Sequence, residues 1–310
     1  PVFWLSSAKT GRDILQANSD LVKGINLETL NRIIEEGPKK GQSVAFHLSR
    51  TTTGRDILQA NPDLVKGISP ETLNHIIEEG DYKGQSVAFW LSSTKTGQGI
   101  LQANPDLVKN INPETLNHII EEGAYKGQSV AFWLSCTKTG REILQANPDL
   151  VKNINPETLN HIIEEGNYKG QSVAFWLSCT KTGRDILQAN PDLVENINPE
   201  TLNHIEQGDY KGQSVAFWLS RTTTGQDILQ ENPDLVENIN PETLNHIEEG
   251  DYAGQSDALH MKQRPERYSM GLWTSRAELR QREELATQEK QLAASETGSN
   301  RPQAFSVQQE

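Results

Sequence analysis

The chain is short of cysteine, of basic charge and of long apolar runs. Only Cys136 and Cys179 occur in its 310 residues, at the same position of adjacent copies of one repeated block. Equivalent points on stacked helices lie roughly 8–10 Å apart. Disulfides need Cα atoms within about 7 Å. No intramolecular bridge is therefore expected, and a reducing compartment fits, whether a cytoplasm or a host cytosol entered by secretion. Other copies place Ser7, Arg50, Ser93 and Arg221 there. A position that accepts arginine reads as exposed, which argues against a catalytic thiol.

The absence of any apolar run near 18 residues excludes a transmembrane helix, and no signal peptide is visible. The formal charge is −13. Residues 261–310 hold 8 Lys/Arg and 7 Asp/Glu, which leaves 21 against 35 for the rest. That acidic part lacks the basic surface that duplex nucleic acid and anionic membranes require. The chain also lacks an initial methionine and begins at Pro1 inside a repeat. It reads as a fragment, with room upstream for a targeting segment or an enzyme domain.

What is abundant is repetition. Gly84-Gln85-Ser86-Val87-Ala88-Phe89-Trp90-Leu91 returns at Gly127, Gly170 and Gly212, with a near-copy at Gly41. The anchor glycines are 43, 43, 43 and 42 residues apart, and a worn copy begins at Gly254. A fixed period of this size marks a stacked array in which each unit buries its apolar face against its neighbours. Hydrophobic content of 35% suffices for a thin, elongated core. We expect an all-α fold: an α-solenoid of about six helical repeats over residues 1–253. The units are a partial first one (1–40) and those starting at 41, 84, 127, 170 and 212. A degenerate capping segment (254–274), a charged helix (275–295) and a disordered tail (296–310) should follow. The charged helix opens on a capping box, Ser275-Arg276-Ala277-Glu278, and carries Leu279, Leu285 and Leu292 at roughly heptad spacing.

Within residues 84–126, Ser86 reads as the N-cap of a short buried helix over Val87–Leu91. Ile100 and Leu101, with Leu107 and Val108, keep one face of a second helix, and Pro105 restarts it as a short turn. Asn112 caps a third helix, with Pro113 at its first position. Leu116, Ile119 and Ile120 at i, i+3 and i+4 form its face, and Gly123 stops it. Each unit thus predicts about three short helices. Apolar positions such as Phe89, Leu91, Ile100, Leu116 and Ile119 hold their identity between copies and read as core. Asn117 and Gln102 are nearly as constant, which recent duplication explains. The last two units each lack one isoleucine (His204-Ile205-Glu206, His246-Ile247-Glu248), so their third helix should end one residue early.

The Gly84-Gln85-Ser86 turn, Gly97 and the closing run Ile119-Ile120-Glu121-Glu122-Gly123 resemble the ankyrin repeat. That family opens on a Gly-x-Thr-Pro-Leu-His turn, places a glycine before its second helix and closes on another glycine. The period of 43 exceeds the family's roughly 33, and a three-helix armadillo-like unit suits the length better. Both resemblances imply a helical array that binds another protein. Near-identical ankyrin-like arrays also resemble those of effector proteins of intracellular bacteria.

Three columns recur. His75, His118, His161, His204 and His246 are spaced too far apart to converge on one ion, so no metal is expected. Trp90, Trp133, Trp176 and Trp218 suit packing between repeats or a contact column for a partner, and His47 interrupts them. Tyr82, Tyr125, Tyr168, Tyr210 and Tyr252 occupy the inter-repeat turns and rank first as partner contacts. Paired glutamates such as Glu121-Glu122 read as solvated charge. No phosphate loop, zinc cluster or nucleophile elbow is present, and near-copies supply no unique catalytic set. No catalytic residue and no cofactor are therefore expected. The leading expectation is a protein-interaction scaffold. The alternatives are a regulatory or targeting arm of an enzyme whose catalytic domain lies upstream of Pro1, and a mechanical spacer.

Overall fold

The protein is described from a computed structural model, which defines residues 2–240 and Thr243. The expected capping segment, charged helix and tail, with Tyr252 and His246, lie outside the described residues. Within them the fold is all-α, with no strand, and is a solenoid of helical repeats.

Among the described residues the first five units each have four short helices rather than three. In the third repeat they are Val87–Ser92, Lys95–Ala103, Pro105–Lys109 and Pro113–Asn117. The local signals place their starts. The Ser86 Oγ accepts from the Phe89 N–H at 3.1 Å, the Thr94 Oγ1 from Gly97 at 3.2 Å and the Asn112 Oδ1 from Thr115 at 2.7 Å. Pro105 and Pro113 open the third and fourth helices, where proline loses nothing by having no N–H. Each cap stabilises by about 1 kcal/mol. Helices of five to nine residues are still too short to hold alone, so tertiary packing sustains them.

The first and second helices of a unit pack on each other, and each also packs on its counterpart in the next unit. Their close approach explains Gly97. A Cβ there would sit 2.7 Å from the Leu91 Cα, and the same glycine recurs at 54, 140, 183 and 225. Between the two layers lie Phe89, Leu91, Ile100, Leu101, Val108 and Leu116, all 2% exposed or less.

Two polar columns join this core. Arg55, Arg141 and Arg184 are buried on the second helix. They donate from Nη1 to the carbonyls of Ser49, Ser135 and Ser178 at 2.8, 2.6 and 2.7 Å. Gln98 does the same to Ser92 at 2.6 Å. A cation is favourable at these carbonyls because they close the first helix. The second column is asparagine. Asn117 donates from Nδ2 to the Asn153 carbonyl at 2.7 Å and accepts the Asn155 N–H at 3.0 Å. Asn31, Asn74, Asn160 and Asn203 make the same two bonds one repeat forward. The constancy of Asn117 thus has a physical cause as well as a duplication history.

The fourth helix stops at Asn117, six residues before Gly123. The Asn117 side chain also donates back to the Pro113 carbonyl at 2.7 Å, a local bond that competes with helix continuation. His118 then leaves helical geometry at φ −64°, ψ 115°. Ile119 and Ile120 run extended, a geometry that β-branched side chains favour. Ile120, 1% exposed, is the buried member of the pair, and Ile119 is half-buried.

Candidate functional site

The extended segment folds back as a tight hairpin that links one repeat to the next. The Ile120 N–H donates to the Gln128 carbonyl at 3.0 Å, and the Gly127 N–H returns to the Ile120 carbonyl at 2.7 Å. Gly127 closes the turn at φ +80°, a left-handed conformation that costs glycine least. Successive hairpins stand side by side, with clefts between the first four.

Three such clefts recur in register, with volumes of about 260, 250 and 270 Å³. In the third, Ile119, Ile120, Glu121, Lys126 and Gly127 of one hairpin face His161, Glu164 and Glu165 of the next. The clefts at Gly41 and Gly84 present the same residue types. Each histidine lies against the preceding hairpin's glycine: a Cβ on Gly41, Gly84 or Gly127 would be 3.1–3.2 Å from Nε2 of His75, His118 or His161. Burial lowers the pKa of all three imidazoles, so the neutral ring is favoured.

A lysine bridges the cleft mouth. Lys40 Nζ lies 3.0 Å from Glu79, Lys83 lies 3.0 Å from Glu122 and 3.6 Å from Glu121, and Lys126 lies 3.1 Å from Glu165 and 3.8 Å from Glu164. The hydrogen bonds to Glu79, Glu122 and Glu165 raise the three ammonium pKa values. In the third cleft Lys126 faces both Glu164 and Glu165, two carboxylates to one ammonium, while Glu121 on the near side pairs with Lys83. The mouth is therefore net acidic above an isoleucine floor. The sequence displayed all these residues. Their meeting was not legible, because each cleft joins segments about one repeat apart.

The predicted columns sit elsewhere. Trp90, Trp133 and Trp176 are buried, at 8%, 9% and 9% exposure, and Trp218 is half-buried. Trp4, at the first repeat, is 66% exposed. The tyrosines turn back over the first helix of their own unit. The Tyr125 ring stands edge-on to Phe89 and Trp90 at 5.4 and 5.2 Å, Tyr168 to Phe132 and Trp133 at 5.3 Å each, and Tyr210 to Phe175 and Trp176 at 5.4 and 5.3 Å. Tyr82 packs on Phe46 and carries the Arg50 guanidinium 4.5 Å from its ring centre. All four rings are half-buried. Such edge-on pairs contribute roughly 0.5–1.5 kcal/mol each beyond the area they bury.

His47 replaces the tryptophan of its repeat at 1% exposure, with neither ring nitrogen hydrogen-bonded. Burial, and then the positive charges of Arg50, Lys39 and Arg12, push it down to about 3. Cys136 and Cys179 are free and half-buried, a correction to the exposure inferred from the arginines at that position. Burial pushes both thiols up to about 12, so the nucleophilic thiolate is scarce at neutral pH. Among the described residues no group of three or more His, Cys, Asp or Glu is placed to hold a metal, and no helix is long and apolar enough to cross a membrane.

The fourth joint departs from the pattern. The missing isoleucine does not shorten the fourth helix, which still spans Pro199–Asn203. The loss falls in the hairpin, and Glu206 takes the place of Ile163. Its N–H donates to the Gln213 carbonyl at 2.8 Å and its carbonyl accepts the Gly212 N–H at 3.1 Å. Its carboxyl is carried into the slot that isoleucine fills elsewhere, at 1% exposure. The chain matches no protein family, no curated protein and no solved structure with which it was compared.

Proposed function

We propose that the array is a protein-interaction scaffold whose contact surface is the row of clefts between hairpins. The observation that carries this reading is the recurrence of one cleft geometry at three successive joints. Each cleft offers an apolar floor for an aliphatic stem and an acidic mouth for the charge at its end. The matching partner is a chain that presents lysine or arginine side chains along an extended stretch, because such side chains bury their stems and keep their heads polar. Affinity would then sum over joints, as it does for linked sites. The half-buried tyrosines support the hairpins in this reading and contribute to the contact through their exposed edges.

The ankyrin likeness enters here as well. That family's unit is a turn and two helices in about 33 residues. The packed first and second helices and the inter-repeat hairpin support the likeness. The two five-residue helices between them, Pro105–Lys109 and Pro113–Asn117 in the third repeat, account for the extra ten or so residues. A scaffold of this kind suits an effector protein or a targeting arm of a larger enzyme equally well.

The test is to fill the clefts. Ile33→Arg, Ile76→Arg and Ile119→Arg in one chain place a cation on each floor at half-buried positions. Helicity should be unchanged by circular dichroism, while binding of a fluorescent oligo-arginine peptide at low salt and capture of cellular partners should both fall. Unchanged peptide binding and unchanged partners would overturn the cleft reading. A wild-type array that binds neither would favour the spacer.

A further inference from the structure

Among the described residues Glu206 is the one hairpin residue whose buried side chain contradicts its slot. Ile77, Ile120 and Ile163 fill that slot at 1% exposure in the preceding repeats. In the fifth repeat the same place holds a carboxyl whose Oε2 has no hydrogen-bond partner. A Cβ on Gly170 would lie 2.8 Å from that oxygen and 3.3 Å from the His204 Nε2, which is also unpartnered. The titratable and charged groups around the slot are few. His204 precedes Glu206 by two residues. Cys179 ends the first helix of the repeat within electrostatic reach of the carboxylate, with Arg141 and Arg184 beyond it. Lys169 and Lys211 flank the two turn glycines. No ion pair or hydrogen bond from any of these reaches the carboxyl among the described residues.

Outside the slot the complementary defect is present. Lys40, Lys83 and Lys126 each bridge to a glutamate of the following hairpin. Lys169 is exposed and has no carboxylate partner among the described residues. Counted back from Gly212, Gln207 stands where Glu165 stands and Glu206 where Glu164 stands. Counted forward from His204, Glu206 stands where Ile163 stands. The missing residue therefore gives this hairpin two registers. In the described one Glu206 is inside and pairs with Gln213. In the other, Ile205 pairs with Gln213 and fills the slot, and Glu206 faces Lys169 as Glu164 faces Lys126. A one-residue slip exchanges the buried and exposed faces of an extended segment.

We infer that the hairpin of the fifth repeat is a proton-controlled register switch, closed with Glu206 protonated in the isoleucine slot and shifted with Glu206 ionised beside Lys169. A lone carboxyl in an apolar slot favours its neutral form, and burial pushes Glu206 up to about 8. The ionised form gains water and an ammonium partner by moving out, while Ile205 recovers the apolar contact. Each state thus offers what the other lacks, which is the condition for a population shift.

Cys179 reports the switch, and Cys136 serves as the reference, because its hairpin keeps Ile163. Alkylation of the whole chain, read residue by residue in a mass spectrometer, gives the ratio of Cys179 to Cys136 labelling. That ratio cancels the pH dependence common to both thiols. It should rise severalfold from about pH 5 to about pH 9. It should stay flat when an isoleucine is inserted between Ile205 and Glu206, and in Glu206→Ile. The Gly212 amide should remain protected from hydrogen exchange in both registers, which separates a slip from local unfolding. Lys169→Ala should move the Glu206 carboxyl midpoint, followed by NMR, to higher pH. A flat ratio in the wild type, a Gly212 amide that loses protection as Glu206 ionises, or a Glu206 that titrates at the ordinary carboxylate value would each overturn the switch.

Discussion

The joint after the third repeat and the joint after the fourth are built from nearly the same residues, yet only one is self-consistent. At the first, Ile163 fills the slot, Glu164 and Glu165 face water, and Lys126 bridges to both. At the second, one residue is gone, a carboxyl is inside and Lys169 is left over. The asparagine ladder crosses both joints without a break, with Asn117 donating to Asn153 and Asn160 to Asn196, each at 2.7 Å. The deletion therefore disturbs the hairpin edge alone. A repeat array tolerates a local defect because each unit depends on its immediate neighbours only.

The largest expected effect comes from copying the defect into the intact joint. Ile163→Glu should destabilise the array by about 3–5 kcal/mol near pH 9, where a carboxyl in this slot is ionised, the usual cost of an uncompensated buried charge. Urea unfolding monitored by circular dichroism measures it, and the penalty should shrink in acid. A loss below about 1 kcal/mol would mean that the slot is wetter than its 1% exposure implies.

The reverse exchange sharpens the comparison through pH. The Glu206 pKa is raised on folding, so the folded state binds more protons than the unfolded chain. Stability contributed by the neutral carboxyl is complete below the ordinary value of 4.5 and is lost as pH rises through about 8. Glu206→Ile should therefore gain little near pH 4 and about 2–4 kcal/mol near pH 8. His47 has the opposite sign. Its pKa is depressed from 6.5 to about 3, so its contribution is complete above 6.5 and is lost as pH falls towards 3. Hydrogen exchange should find the second repeat opening first in acid but not in alkali, where the fifth repeat weakens with its Gly212 amide still protected. A single repeat that opens first at both extremes would refute this assignment.

The asparagine ladder comes next in size. Asn117→Ala removes two bonds to the following repeat and should cost about 1–3 kcal/mol in thermal unfolding. Asn203→Ala should cost a similar amount, because the ladder does not register the deletion. A much smaller loss at Asn203 would show that the defect spreads beyond the hairpin.

The sequence displays the period, the caps and the proline starts, because each is a local signal carried by one or two residues. Ser86, Asn112, Pro105 and Pro113 behave as their chemistry requires. The end of the fourth helix was hidden, since Leu116, Ile119 and Ile120 satisfy a helical spacing that the chain does not follow beyond Asn117. What stops that helix is a side chain bonded both backwards and to the next repeat, and such a bond is invisible until two repeats are stacked. The clefts were hidden for the same reason: His161 acquires its glycine wall from Gly127, a partner in another unit. Read alone, the deletion near Glu206 suggested a shorter helix. The chain instead keeps the helix, with its Asn160 and Asn203 anchors, and lets the hairpin absorb the loss.

The smallest effect separates the two lysines. Among the described residues Lys126 is bonded to two glutamates and Lys169 to none, yet both ammonium groups are exposed to solvent and screened by salt. Lys126→Ala and Lys169→Ala should each leave the urea midpoint unchanged near pH 5, where Glu206 is neutral. They should diverge near pH 9. There Lys126→Ala should remain silent, while Lys169→Ala deprives an ionised Glu206 of the ammonium it would face outside the slot and lowers the midpoint. Equal behaviour of the two variants at both pH values would mean that the exposed lysines are interchangeable, and that the difference between the joints lies wholly in the slot.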